Sequence, residues 1–321
     1  MSPSVPRPAD VVGAVAVSGP AARPGSAPVD DPLRGILLLV AAMLLFSLSD
    51  ATAKFLSQAL PAIEIAWLRY LVFVLLMLPA AARQGRSRLV SRRPGLQAWR
   101  ALSLLGSSIF FILAIGRLPL ADATATSFVS PLFITALSIP LLGEKVGIRR
   151  WGAVVVGLIG VLIVVRPGTS AFNPASVLPL LSAASWAIAM VITRKTSGLD
   201  GTLTMLAYTA FIGFAVLCAA LPFVWVGLGP RQIALGCFIG IASTAGQWLV
   251  VLAYRRANAS LLAPFAYTQL IWSSLLGLAV FAAIPDGQTL VGAAIIVVSG
   301  IYTAHRERVV ARRQALSPLR D

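Results

Sequence analysis

The chain has 321 residues, 58% of them hydrophobic and 12% charged. A soluble domain carries about 25% charged residues and could not cover this much apolar surface, so a soluble enzyme or regulator is excluded. The formal net charge is +15, but the basic residues fall in short clusters between apolar runs, which argues against a nucleic-acid partner.

Residues 1–31 are rich in Pro, Ala, Ser and Val and read as a disordered cytoplasmic tail. Val11–Gly19 is too short and too weakly apolar for a signal-peptide core. A membrane span needs about 20 apolar residues. Ten candidates follow, at about 35–57, 62–81, 98–117, 121–142, 150–166, 174–194, 203–226, 232–254, 259–282 and 288–305. Links between them are short, and a basic tail, 307–321, closes the chain.

Lysines and arginines set the orientation. With both termini in the cytoplasm, 21 lie on inside segments and 3, Arg117, Arg166 and Arg231, lie outside. A missed span would scramble that split. The expected location is a bacterial-type inner membrane.

The chain also repeats itself. Gly152 and Gly160 are answered by Gly292 and Gly300, and Phe128–Ser138 by Tyr267–Gly277 at an offset of 139. The copies cover 32–168 and 174–306, with five spans in each. An odd count turns the second copy upside down, so the expected fold is an all-α polytopic membrane protein of ten transmembrane helices in two inverted repeats. Two such halves rocking about a central site expose it to each side in turn, which is a transporter's architecture.

Ionisable groups within a span are costly and point to function. Asp50 and Lys54 lie in span 1, Glu64 and Arg69 in span 2. Asp50 and Lys54 share a helix face, four residues apart. Two readings stand side by side: Asp50, Lys54 and Arg69 form a neutralising cluster between the spans, or one of them meets a polar substrate group. For Lys54 the structural reading is favoured. Glu64 is expected near the interface and solvated.

Aromatic and amide groups within spans extend the candidates to Trp67, Tyr70, Phe128, Trp186, Gln247, Trp248, Tyr267, Gln269 and Trp272. The alternative for the glutamines is interhelical hydrogen bonding, and for the tryptophans lipid-facing positions. Trp99, Trp151 and Trp225 suit an interfacial belt. Gly236 and Gly240 read as a close helix contact. Pro131, Pro140 and Pro264 can kink their spans, and Pro131 falls opposite Leu270, so asymmetric kinks are expected. Cys218, Cys237 and the single histidine, His305, give no disulfide, metal or cofactor motif, and HExxH and GxSxG are absent.

With these residues on the page, the sequence resembles the drug/metabolite transporter superfamily and its EamA-type ten-helix members. The likeness rests on LPLADATATSFVSPLFITALSIPLLGEKVGIRRWGAVVVGLIGVLIVVRPG in the first copy and LLAPFAYTQLIWSSLLGLAVFAAIPDGQTLVGAAIIVVSGIY in the second. FSLSDATAKFLSQALPAIEIAWLRY is similar to a subgroup described as riboflavin or S-adenosylmethionine importers. One departure is Ile284-Pro285-Asp286, where the repeat places Gly-Glu. The resemblance implies alternating access without ATP hydrolysis or catalysis. Expected partners are a small organic substrate and the bilayer, with a homodimer left open. The cavity is expected between the halves, lined by spans 1, 2, 4, 6, 8 and 9, with Asp50 and Arg69 nearest its outer mouth.

Overall fold

The structure is a computed structural model and describes residues 31–84, 90–142, 148–169, 172–196, 199–257 and 259–316. Most of the expected N-terminal tail, Glu144 with Lys145, and residues 317–321 lie outside the described residues.

The α-helices are α1 (Pro32–Leu56), α2 (Ala62–Gln84), α3 (Pro94–Ile115), α4 (Leu120–Ser127), α5 (Ser130–Leu142) and α6 (Ile148–Val165) in the first copy. The second copy contributes α7 (Val177–Thr196), α8 (Thr202–Ala220), α9 (Pro230–Arg256), α10 (Ala259–Ala266), α11 (Thr268–Phe281) and α12 (Gly287–Leu316). Prolines open α1, α3 and α9, where a helix has no use for the missing N–H. Among the described residues, eight helical segments are long and apolar enough to cross a membrane, and Val154–Val165 and Gly287–Tyr302 are shorter apolar helices. No strand occurs among the described residues. The protein is an all-helical, polytopic membrane protein.

The duplication is visible in the packing. The closest helix pairs are α1 with α9, α3 with α7, α6 with α12, and α2 with α8. Exchanging the copies turns the first pair into the second and returns the last two to themselves. The repeat-equivalent helices α6 and α12 run antiparallel, since Gly160 faces Ile296 and Gly292 while Gly292 also faces Val164. Gly236 and Gly240 admit Leu68 and Val72 of α2 against α9, the close approach that small residues allow between membrane helices.

The bundle has two ends. At the basic end Gly35 lies against Ala257, and Asp200 accepts hydrogen bonds from Ser91 and Gln97. The far end holds the α1–α2 link, Arg117, Arg166, Arg231 and Asp286.

Two expectations are corrected. Spans 4 and 9 are each two helices, interrupted at Phe128–Val129 and at Tyr267. The interruptions are symmetric even though the prolines are not. Pro131 follows its break and offers no N–H to Ser127, while Pro264 precedes its own. Tighter bonds of the 3₁₀ type fill in, from Val129 N to Thr126 O at 3.2 Å and from Leu270 N to Tyr267 O at 3.0 Å. In addition, α12 runs past the expected end of span 10 to Leu316, so part of the basic tail is helical.

Candidate functional site

A cavity of about 850 Å³ lies between the two copies. Its deep end is set by Asp50 on α1 and Arg69 on α2, and it extends to Arg194 and Tyr254 near the basic end. Beyond Asp50 the bundle is packed shut by a cluster that includes Leu56, Leu60, Ile65, Ile115 and Leu118. Asp50 and Arg69 therefore sit at the closed end of the cavity and not at an outer mouth. The walls also draw on span 3, through Leu104, Ser107, Ser108 and Phe111, and on span 7 through Thr209, beyond the spans expected.

Asp50 is buried and ion-paired, with Oδ1 3.3 Å from Arg69 Nη2. Arg69 also donates to Ser49 Oγ at 3.1 Å and Ser108 Oγ at 3.3 Å. Gln269 of α11 donates through Nε2 to Asp50 Oδ2 at 3.4 Å. The network thus joins spans 1, 2 and 3 of one copy to span 9 of the other. Its charge is internally balanced, which a buried ion pair requires if it is not to be ruinous.

Above this pair the cavity is aromatic. Phe128 and Tyr267 sit at the two helix interruptions with ring centroids 4.9 Å apart, and Trp186 and Gln247 line the wall with them. Of the candidates read from the sequence, Asp50, Arg69, Phe128, Trp186, Gln247, Tyr267 and Gln269 therefore meet around one space. Trp67 and Trp272 do not. Trp67 donates to Cys218 Sγ at 3.2 Å and stacks on Phe214, between α2 and α8. Trp272 packs with Leu39, Met43 and Leu262, its Nε1 buried without a partner. Tyr70 lines the cavity as well, whereas Trp248 is exposed on the outside of α9.

Lys54 does not join Asp50 although they share a helix. Its Nζ donates to the carbonyls of Ile115 at 2.6 Å and Leu118 at 2.7 Å. A cation there satisfies the C-terminal end of α3, where the helix dipole is negative. Glu64, expected to be solvated, is fully buried beneath the α8–α9 link, where its Oε2 accepts from Val226 N at 3.4 Å.

The hydroxyls on the cavity wall, Ser107, Ser108, Thr193 and Thr209 among them, lie outside the candidates read from the sequence. Arg100, one of the 21 basic residues assigned to inside segments, is buried within α3. The legible signal was spacing: Arg100, Leu104, Ser107, Ser108 and Phe111 repeat on one helical stripe.

Each end of the bundle carries a polar clasp outside the spans. At the far end Arg166 pairs with Asp286, joining the end of α6 to the start of α12. That hydrogen bond, followed by one from Thr289 N at 2.8 Å, holds the Asp286 carboxyl at about 2. At the basic end Asp200 accepts from Ser91 Oγ at 2.6 Å, Gln97 Nε2 at 2.8 Å and Arg92 N at 3.0 Å. Partial burial pushes this carboxyl up, but the three hydrogen bonds outweigh it and hold it below its usual range.

The chain is similar to known proteins. Residues 33–166 and 173–304 each match the model of the EamA-like transporter family. The S-adenosylmethionine uptake transporter of Rickettsia prowazekii (strain Madrid E) is 27% identical over 276 residues, 86% of this chain and 94% of its own. The riboflavin transporter of Vibrio cholerae serotype O1 is 32% identical over 288 residues, 88% of this chain and 97% of its own. The pseudopaline exporter CntI of Pseudomonas aeruginosa is 30% identical over 281 residues, covering 85% and 97%. A solved structure described as "Crystal structure of protein" covers 87% of this chain and 98% of its own, with a TM-score of 0.58 at 22% identity. That last likeness speaks for the fold alone.

Proposed function

Because this chain belongs to the EamA-like transporter family, and is a small-molecule membrane transporter, we propose that it carries a planar aromatic metabolite by alternating access between its two copies. The observation that carries this reading is a cavity of about 850 Å³ with a balanced acid–arginine pair at its closed end and aromatic walls above it. That volume lies in the range of pockets that enclose a drug-sized ligand, about 300–1,000 Å³. A neutral floor gives no net pull on a bare cation or anion. It favours a solute that offers both donors and acceptors to Asp50, Arg69, Ser108 and Gln269, while Phe128, Tyr267 and Trp186 take a flat ring. Riboflavin and S-adenosylmethionine, named for two of the relatives, both answer this description.

The proposed orientation places the basic end in the cytoplasm of a bacterial inner membrane, following the positive-inside bias. The cavity then faces the cytoplasm, and the far-end cluster is the closed gate. The mechanism needs no covalent chemistry: movement of one copy against the other closes the basic end and parts the far end.

Proteoliposome uptake of labelled riboflavin and S-adenosylmethionine tests the reading. Asp50→Asn and Arg69→Gln are each expected to lower uptake by at least about tenfold, the equivalent of one lost charge-assisted hydrogen bond. Wild-type rates in both variants would remove the pair from the substrate site. Wild-type vesicles that move neither solute would refute the substrate class.

A further inference from the structure

Glycines within membrane helices most simply mark a contact with a neighbouring helix. Gly160 follows that rule. A methyl group there would lie 2.8 Å from Ile296 Cγ1, 2.9 Å from Gly292 O and 3.1 Å from Ile295 Cγ2, all on α12. Gly300, its equivalent in the second copy, is also buried but does not follow it. The three nearest atoms that a methyl there would meet belong to one side chain, Tyr267. The methyl would overlap the hydroxyl outright, and would lie 2.8 Å from Cζ and 3.7 Å from Cε1. Both Gly300 and Tyr267 line the cavity.

The Tyr267 ring is therefore held at both ends. Its root lies at the interruption of span 9, where Tyr267 N donates to Pro264 O at 3.3 Å and Tyr267 O accepts from Leu270 N at 3.0 Å. Its tip rests on the bare backbone of α12 at Gly300. Between the two, the ring meets Phe128 with centroids 4.9 Å apart. Phe128 occupies the same position of the first copy and has no hydroxyl, and the glycine of that copy, Gly160, is closed by α12. A tyrosine thus stands at the break whose glycine is open, and a phenylalanine at the break whose glycine is filled. Any side chain on Gly300 would force the tip off α12 and swing the ring toward Phe128 or into the cavity. Either movement takes space from a flat solute lying beside the pair.

We propose that Gly300 is a positioning residue for substrate recognition: by admitting the Tyr267 hydroxyl it holds the ring back against α12 and keeps open the space that a planar ring enters. This rests on the cavity taking a planar aromatic solute. Gly300 offers the solute no group of its own and acts through Tyr267. A ring already fixed at root and tip has little freedom left to lose when the solute arrives, which favours binding.

The test measures direct binding of riboflavin and S-adenosylmethionine to the purified full-length protein, with Tyr267 intact and in a Tyr267→Phe background. With Tyr267 intact, Gly300→Ala is expected to weaken binding by about tenfold, the scale of one lost aromatic stack. In Tyr267→Phe the hydroxyl is gone and a small tilt of the ring clears the methyl. Adding Gly300→Ala there should change affinity by less than about threefold, a non-additivity expected only of residues in contact. Gly160→Ala, which meets α12 and not Tyr267, should have the same effect in both backgrounds. Wild-type affinity in Gly300→Ala, or an equal loss in both backgrounds, would overturn the proposal and leave Gly300 as a helix contact. Rescue of Gly160→Ala by Tyr267→Phe would overturn it as well, because relief would not be specific to Gly300. If Gly300→Ala does not fold, the double variant decides: a folded protein that binds like Tyr267→Phe supports the proposal, and one that also fails to fold overturns it. A wild type that binds neither solute would remove the planar-solute reading itself, and this assignment with it.

Discussion

Phe128 and Tyr267 hold their ring centroids 4.9 Å apart with the rings inclined at 45°, and they are the same position of the repeat met twice. Each marks the interruption of its span, so the two breaks face each other across the centre of the molecule. A flat solute inserted beside this pair touches both copies at once. Phe128→Ala or Tyr267→Ala should raise the KM for riboflavin uptake about tenfold, in line with about 1–3 kcal/mol for a ring stacked on an aromatic side chain. An unchanged KM in both variants would remove the pair from the ligand's path.

Asp50 and Arg69 are predicted to be coupled in stability as well as in transport. Either single neutralisation leaves one buried charge alone and should cost about 3–5 kcal/mol. Asp50→Asn combined with Arg69→Gln should cost clearly less than the two singles added together. Unfolding in detergent, run as a double-mutant cycle, measures the difference; strict additivity would mean the pair at 3.3 Å carries no interaction energy.

Lys54 offers the opposite profile. Its ammonium holds two carbonyls at the end of α3, away from the cavity. Lys54→Met should lower stability by about 1–3 kcal/mol, the cost of leaving buried acceptors unpaired. Once expression is matched, the KM for uptake should stay at the wild-type value. A shifted KM would bring Lys54 into the site after all.

The far-end clasp predicts an acid limit. Asp286 falls on folding from an ordinary 3.8 to about 2. A carboxyl depressed in this way contributes stability that is complete above its unfolded value, near 4, and is lost as the pH falls toward 2. Asp286→Asn should therefore lower stability at neutral pH and flatten the loss between pH 4 and pH 2, read by thermal unfolding of the purified protein. Equal slopes in wild type and variant through that window would contradict the assignment.

The span count, the inversion and the membrane class were legible because they depend on composition and charge placement, which are written one residue at a time. The acid–arginine pair was legible for the same reason, since an ion within an apolar run stands out. Proximity across the bundle was less so. Trp67 and Trp272 differ from Trp186 only in the direction they face, and that is fixed by packing against Phe214 or Met43. Lys54 was read from its place along the chain, while its role comes from a neighbour 61 residues away. The paired helix breaks escaped notice because the prolines sit on opposite sides of them.

The crossing of α6 and α12 carries one more consequence. A methyl group on Gly160 would lie 2.9 Å from Gly292 O, so the helices touch backbone to backbone there. Their repeat-equivalent glycines make no such contact: Gly152 has nothing within 4 Å, and Gly300 is taken up by the Tyr267 hydroxyl. The helix pair is thus a pair of scissors gripped at one of two available notches. Bulk added at Gly152 is weightless in this arrangement and bears only on one in which the basic ends of α6 and α12 meet. A side chain at that position would hold the scissors to the grip seen here without touching the cavity.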